Sequence, residues 1–231
     1  MTLHILATGT SRGIGAAIAA AFGNDDVRLI GHATTTADDR TIAVDLDLAG
    51  AADMLWRDAL DRLDGRIDVL INNAGVFEAA PIDLADAEWD AAWERTFRID
   101  LTASAQLCRH AVRHWRGAGR GGRIVNVASR AAYRGDSPDH WSYAAAKAGM
   151  VGLTKTIARG YAHEGILAFA VCPGFVATAM ADAALAPAAD IPLGRVATPQ
   201  EVAGAVRYLA LDAPPSMTGA SIDINGASFV R

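Results

Sequence analysis

Short, largely apolar runs recur along the chain at Leu3–Ala7, Val27–Gly31, Thr41–Val44, Val69–Asn72, Arg123–Ala128, Leu167–Cys172 and Ser221–Ile224. Between them lie stretches with helical character near 13–22, 49–63, 86–97, 101–116, 142–163 and 199–211. Brief runs with few polar interruptions predict strands covered on both faces. Alternation of strand and helix from end to end implies right-handed crossovers. The expected architecture is α/β: a doubly wound, parallel, seven-stranded sheet with helices on both faces. No internal repeat and no linker rich in Pro, Ser or charge divides the chain, so residues 1–231 read as a single domain. The stretch Ala177–Ala189 has weak periodicity and contains Pro187. It reads as a flap, within a short substrate lid near 177–195, with a plain surface loop as the alternative.

Composition refines this picture. Hydrophobic residues make up 52% of the 231 positions, but 50 of those positions are alanine. The mean hydropathy of +0.18 therefore reflects small side chains that permit close packing. The longest apolar runs, Ala16 to Phe22 and Ile166 to Cys172, are seven residues each. A membrane-spanning helix needs roughly 18, so no membrane crossing is expected. Apolar Leu3–Ala7 runs directly into a glycine-rich stretch, without the pattern of a signal segment.

With 26 acidic and 21 basic residues the net charge is −5, which disfavours nonspecific nucleic-acid binding. Arg109, Arg113, Arg116, Arg120 and Arg123 form the densest basic cluster and read as a solvated helix end and loop. Cys108 and Cys172 are the only cysteines, too few for a disulfide framework or a zinc cluster, and a cytoplasmic location is the default expectation. Only two of the 21 basic residues are lysine, Lys147 and Lys155.

The candidate chemistry begins immediately after the first predicted strand, at Thr8-Gly9-Thr10-Ser11-Arg12-Gly13-Ile14-Gly15. A strand, a glycine turn and a helix in that order suit a pyrophosphate. Gly9 permits the turn, Gly13 lets the backbone approach the phosphate, and Gly15 allows close packing. The phosphate would meet free N–H groups at the positive end of the helix dipole. The end of the second strand selects between nicotinamide dinucleotides, an acid there binding the ribose 2′-hydroxyl of NAD. The chain reads Gly31-His32-Ala33-Thr34, with no acid, while Arg12 supplies a cation inside the loop. These residues favour NADP(H), with NAD(H) the alternative, and His32 and Thr34 are candidate donors to the 2′-phosphate.

Tyr143-Ala144-Ala145-Ala146-Lys147 opens the fifth predicted helix. Residues four apart share a helical face, so phenol and ammonium point into one space. The ammonium is expected to lower the Tyr143 pKa towards neutrality, as a proton donor or acceptor to a carbonyl or alcohol requires. An arginine would not replace so compact a cation.

With these motifs in their observed order, the sequence resembles the classical short-chain dehydrogenase/reductase family over essentially its whole length. Thr8–Gly15 is similar to the family's T-G-x-x-x-G-x-G loop and Asn72-Asn73-Ala74-Gly75 to its N-N-A-G segment. Ser129, Tyr143 and Lys147 match its serine and Tyr-x-x-x-Lys pair. Pro173-Gly174 with Thr178 matches its P-G-x-x-x-T segment. Likeness is greatest to the 3-oxoacyl-carrier-protein reductase branch, through Ser11–Gly15 and Tyr143–Gly149.

The resemblance implies a Rossmann fold and hydride transfer between a nicotinamide and a ketone or secondary alcohol. The expected direction is ketone reduction, with a 3-oxoacyl thioester or another small ketone as substrate. Ser129 would hydrogen-bond the carbonyl, Tyr143 would donate the proton, and Lys147 would hold the ribose hydroxyls. Ser11, Arg12, Gly13, Ile14 and Gly15 would hold the cofactor from the loop, with Asp45 on the adenine. Asn73, Ala74 and Gly75 would line its cleft, while Pro173, Gly174, Val176 and Thr178 would bound the nicotinamide. A homo-oligomer, tetramer or dimer, through helices 101–116 and 142–163 is expected by the same analogy.

Two departures stand out. Where the family usually has asparagine this chain has Asp100, which either acts through its backbone carbonyl at little cost or adds a negative charge that raises the Lys147 pKa. Ser129 and Tyr143 are 14 apart, one more than is common, across a bulky loop, Arg130–Ser142. That loop carries candidate substrate contacts or merely solvated side chains. His110 and His114 sit four apart on one helix, but no third ligand accompanies them and no metal site is expected. A competing functional reading is a catalytically idle dinucleotide-binding redox sensor, with Asp100 and the short lid as its support.

Overall fold

The computed structural model describes residues 2–23, 26–178 and 191–231. Its strands are β1 (Leu3–Ala7), β2 (Val27–Ala33), β3 (Thr41–Ala43), β4 (Val69–Asn72), β5 (Gly122–Val127), β6 (Ile166–Pro173) and β7 (Ser221–Ile224). They form one sheet in the order β3-β2-β1-β4-β5-β6-β7, and every neighbouring pair is parallel. The winding reverses between β1 and β4. In such sheets a crevice opens at that point, beyond the carboxyl ends of the strands.

Helices α1 (Gly13–Ala21) and α7 (Pro199–Leu211) cover one face, while α2 (Ala51–Arg62), α4 (Ala103–Gly117) and α6 (Trp141–Tyr161) cover the other. Alternate strand residues serve the two layers, as a period of two demands. Ile5, Val69, Ile71, Val125 and Phe169 pack with Ile18, Val202 and Leu209. Leu6, Leu70, Ile124 and Ala168 pack with Leu55, Leu107 and Trp115. All eight residues of β6 are buried, which explains its unbroken apolar reading. Alanine does the work expected of it between α1 and α7, where Ala17 and Ala21 join the layer that holds Ala203 and Ala210.

The elements depart from expectation in three places. β2 continues to Ala33 because His32 and Ala33 pair with Ile42 and Ala43 of β3, so His32 is a strand residue and not a loop residue. Helix α3 (Asp86–Phe97) does not stop before α4. A π-helical turn, Arg98–Thr102, joins them. A four-residue helix, α5 (Ala131–Arg134), follows Ser129 where a loop was expected. Most of the lid expected near 177–195 falls at residues 179–190, outside the described residues.

A buried polar ladder ties the layers together beneath the crevice. Asn72 Nδ2 donates to Asn126 Oδ1 at 2.8 Å, and Asn126 Nδ2 to Thr154 Oγ1 at 2.8 Å. These bonds fix α6 against the carboxyl ends of β4 and β5. Both cysteines are buried free thiols, and burial pushes Cys108 up to about 12 and Cys172 up to about 11. Among the described residues no helix is long and apolar enough to cross a membrane. No cluster of three His, Cys, Asp or Glu could hold a metal ion among them.

Candidate active site

The crevice is a cleft of about 490 Å³ that brings together residues from the glycine loop, the ends of β2, β4, β5 and β6, and the start of α6. Its floor is the loop after β1. Gly9 has φ +69°, and a Cβ there would stand 2.8 Å from the Ala74 Cα. A Cβ on Gly15 would stand 1.8 Å from the Gly9 carbonyl oxygen. Only glycine fits at either position. The neighbouring strand end braces the loop: Asn73 Nδ2 donates to the carbonyls of Thr8 and Gly9, each at 3.0 Å. In return the N–H groups of Asn73 and Ala74 donate to Thr8 Oγ1, each at 2.9 Å.

The first turn of α1 has no side-chain cap and no acid, so its N–H groups face the cleft uncompensated. Arg12, at the N-cap position, is exposed at the rim of the same cleft. This donor set and glycine geometry fit the pyrophosphate of a dinucleotide.

His32 has a different place from the one expected of it. The Gly9 N–H donates to its Nδ1 at 3.1 Å, and its Nε2 donates to the Val44 carbonyl at 2.8 Å. Both ring nitrogens are thereby committed. Burial lowers its pKa, keeping the ring neutral. His32 braces the glycine loop and has no N–H left for a phosphate. Thr34 is exposed beside it, and Asp45 lines the cleft with one oxygen accepting from the Asp47 N–H at 3.0 Å.

On the opposite wall, Ser129 stands two residues beyond the end of β5, and its Oγ accepts from the Ala131 N–H at 3.1 Å. Tyr143 and Lys147 stand on adjacent turns of α6, with Nζ 5.5 Å from the phenol ring centroid. The Lys147 ammonium is buried. It donates to the Val127 carbonyl at 3.2 Å and lies 3.3 Å from Asp100 Oδ2. Asp100, on the π-helical turn, is fully buried, and its Oδ1 accepts from the Val76 N–H at 2.8 Å. It is therefore the Asp100 side chain that reaches the lysine.

The charges of this cluster shift one another. Burial alone would lower the Lys147 pKa, but the Asp100 carboxylate and Tyr143 outweigh it and hold the ammonium above its ordinary value. Burial raises the Asp100 carboxyl, against the opposing pull of Lys147. The Tyr143 phenol is raised, not lowered: burial dominates, and Asp100 adds to it, while Lys147 and Ser129 oppose. The expectation of a phenol brought towards neutrality is corrected on this point. The positions of the two charges were legible in the sequence, but the desolvation that outweighs them was not.

The P-G segment closes the cleft. Val176 is buried and bridges to Ala197, while the Thr178 methyl would meet a Cβ on Gly13 at 3.2 Å. Pro173, Gly174, Val176 and Thr178 thus line the cleft together with Asn73, Ala74 and Gly75. Sequence reasoning did not single out Phe77, whose ring meets Tyr143 edge-on at 4.8 Å and stacks on His140 at 3.7 Å. Its signal was an apolar residue two positions beyond Gly75.

The remaining candidates have structural partners. His110 and His114 pack against Trp56. Of the arginine cluster, Arg116 pairs with Glu164 and Arg120 with Asp68. The Lys155 ammonium lies 5.7 Å from the Tyr133 ring centroid.

Comparison with known proteins agrees with this fold. A family model described as enoyl-(acyl carrier protein) reductase matches residues 9–227. The 3-oxoacyl-[acyl-carrier-protein] reductase of Synechocystis is 37% identical over 96% of this chain and 94% of its own length. The cis-4-hydroxycyclohexanecarboxylate dehydrogenase of Sinomonas cyclohexanicum is 38% identical over 95% and 93%. The D-threitol dehydrogenase of Mycolicibacterium smegmatis is 33% identical over 98% and 92%. The chain belongs to the short-chain dehydrogenase/reductase family, with likeness to its 3-oxoacyl-carrier-protein reductases. It is accordingly an NAD(P)-dependent oxidoreductase acting on CH–OH groups.

Proposed function

We propose that the enzyme reduces a ketone to a secondary alcohol with NADP(H), the substrate being a 3-oxoacyl thioester or another small ketone. The observation that carries this reading is the convergence of Ser129, Tyr143 and Lys147 on the cleft that the glycine loop floors. The bound nicotinamide supplies the hydride. Ser129 holds the carbonyl oxygen by its hydroxyl, and Tyr143 donates the proton to that oxygen. A phenol raised by burial stays protonated at neutral pH, as a proton donor to the carbonyl must be. Lys147, kept cationic by Asp100, holds the ribose hydroxyls.

The N–H groups of Ser11 to Gly15 hold the pyrophosphate. Asp45 contacts the adenine, Asn73 to Gly75 line the cofactor cleft, and Pro173, Gly174, Val176 and Thr178 bound the nicotinamide. Arg12 and Thr34 receive the 2′-phosphate, which is why NADP(H) is preferred over NAD(H). The names of the relatives support a secondary alcohol or its ketone without agreeing on one: an oxoacyl thioester, a hydroxycyclohexanecarboxylate, and D-threitol. We read the protein as a single-domain cytoplasmic homo-oligomer, tetramer or dimer, with a substrate lid near 177–195.

The experiment is nicotinamide absorbance against a panel of ketones and oxoacyl thioesters, with NADPH and NADH compared before and after Arg12→Ala. Turnover with NADPH, and loss of its advantage over NADH in the variant, are expected. An unchanged preference would remove Arg12 from its role. The idle redox sensor is the second reading, favoured by the engagement of Lys147 with Asp100. Tight dinucleotide binding without turnover across the panel would select it.

A further inference from the structure

The cations along the cleft are not equivalent. Lys147 is engaged with Asp100, and Arg95 with Glu78 and Asp47. Arg12 stands at the glycine loop, the end assigned to the dinucleotide phosphates. Arg130 follows Ser129 directly and lines the same cleft. It is 8% exposed, yet among the described residues no carboxylate lies within ion-pair distance of it. Nη1 donates to Ser228 Oγ, and the guanidinium lies over the Phe175 ring at 4.3 Å from its centroid. Its backbone N–H donates to the Pro173 carbonyl at 2.9 Å, and its Cδ packs beside Gly174. The charges that act on it are Arg134 and the exposed Asp136.

A buried charge is expensive unless it is paired. Here a planar fork of five N–H donors sits over an aromatic ring, with a single hydroxyl as its side-chain partner. Phe175 and Ser228 fix the orientation of the guanidinium but do not neutralise it. A carboxylate would complete the set, because its two oxygens match the fork and form charge-assisted hydrogen bonds.

Resting on the oxidoreductase reading, we propose that Arg130 anchors a carboxylate on the substrate, making the enzyme specific for an oxo acid or hydroxy acid. Ser129 and Arg130 then divide the substrate between them. The hydroxyl takes the carbonyl that reacts, and the guanidinium takes the acid that does not. Arg130 is a specificity-determining residue, with no part in the proton or hydride transfer.

The test is a pair of internal ratios. Initial rates are measured with 4-oxocyclohexanecarboxylate and 3-oxobutanoate, each against its methyl ester. The wild type is expected to favour the acid in kcat/KM by about tenfold or more, the scale of a lost charge-assisted hydrogen bond. The ratio should fall to near one in Arg130→Gln and be partly retained in Arg130→Lys. A ratio taken within each protein cancels any general loss of activity or folded fraction.

Calorimetric titration of cyclohexanecarboxylate against cyclohexanecarboxamide, into enzyme saturated with NADPH, tests the anchor without turnover. The anion should bind the wild type selectively and lose that advantage in Arg130→Gln. Esters reduced with no preference for acids, or a preference that survives in Arg130→Gln, would overturn the assignment and leave the oxidoreductase reading intact. Selective anion binding without turnover of any ketone would overturn only the latter.

Discussion

A carboxylate 3.3 Å from Lys147 in a buried pocket adds to the burial that keeps the proton on Tyr143. Asp100 is one of the causes that hold the phenol above its ordinary value, after burial itself. Alcohol oxidation needs the phenolate, so its rate should rise with pH towards that raised value. Asp100→Asn removes the negative charge and lowers the Tyr143 pKa, and the rising limb of oxidation should then move to lower pH. Reduction, which uses the phenol, should fail earlier as pH climbs. The pH profile of kcat in both directions checks this. A limb that stays in place, or moves upward, would show that Asp100 does not act on Tyr143. At this scale the sequence named the actors and misjudged two of them. Tyr143 and Lys147 were legible from spacing, and Asp100 from the family resemblance. The sign of the Tyr143 shift and the commitment of both His32 nitrogens depend on burial and on backbone partners distant in sequence.

Among the elements, the glycine loop and α1 act as one unit. The Gly15 Cα faces the Gly9 carbonyl so closely that an added Cβ would stand 1.8 Å from a backbone atom, which cannot rotate away. Gly15→Ala should therefore displace α1 from the loop, destabilise the fold by about 1–3 kcal/mol or more, and abolish dinucleotide binding. Gly204 lies in α7 with nothing among the described residues within 4 Å of an added Cβ. Gly204→Ala should stabilise by roughly 0.5–1 kcal/mol and leave binding intact. Denaturant unfolding and a dinucleotide titration of both variants decide the matter, and equal effects would contradict it. Strands were legible because parallel strands covered on both faces leave unbroken apolar runs. The π-helical turn was not, since five residues of altered winding barely disturb a helical pattern, yet it is this turn that carries Asp100. The extension of β2 through His32 was hidden for another reason: it depends on pairing with β3.

At the scale of the whole molecule, the site exists because the sheet order reverses between β1 and β4. That reversal brings the loop after β1, the N-N-A-G segment after β4, Ser129 after β5 and the P-G segment after β6 to one crevice. The order of these motifs was readable along the chain. Their mutual contacts, such as Phe77 on Tyr143 or Arg130 on Phe175, join segments far apart in sequence and leave no local periodicity. The proposed reaction moves a proton through the Tyr143 hydroxyl in this assembled cleft. Turnover and dinucleotide affinity of Tyr143→Phe, measured together, test it most directly. Turnover should fall by at least about 10²-fold, the usual worth of a positioned acid or base, while the dinucleotide Kd changes little. A variant that binds the dinucleotide and reduces ketones at the wild-type rate would contradict it.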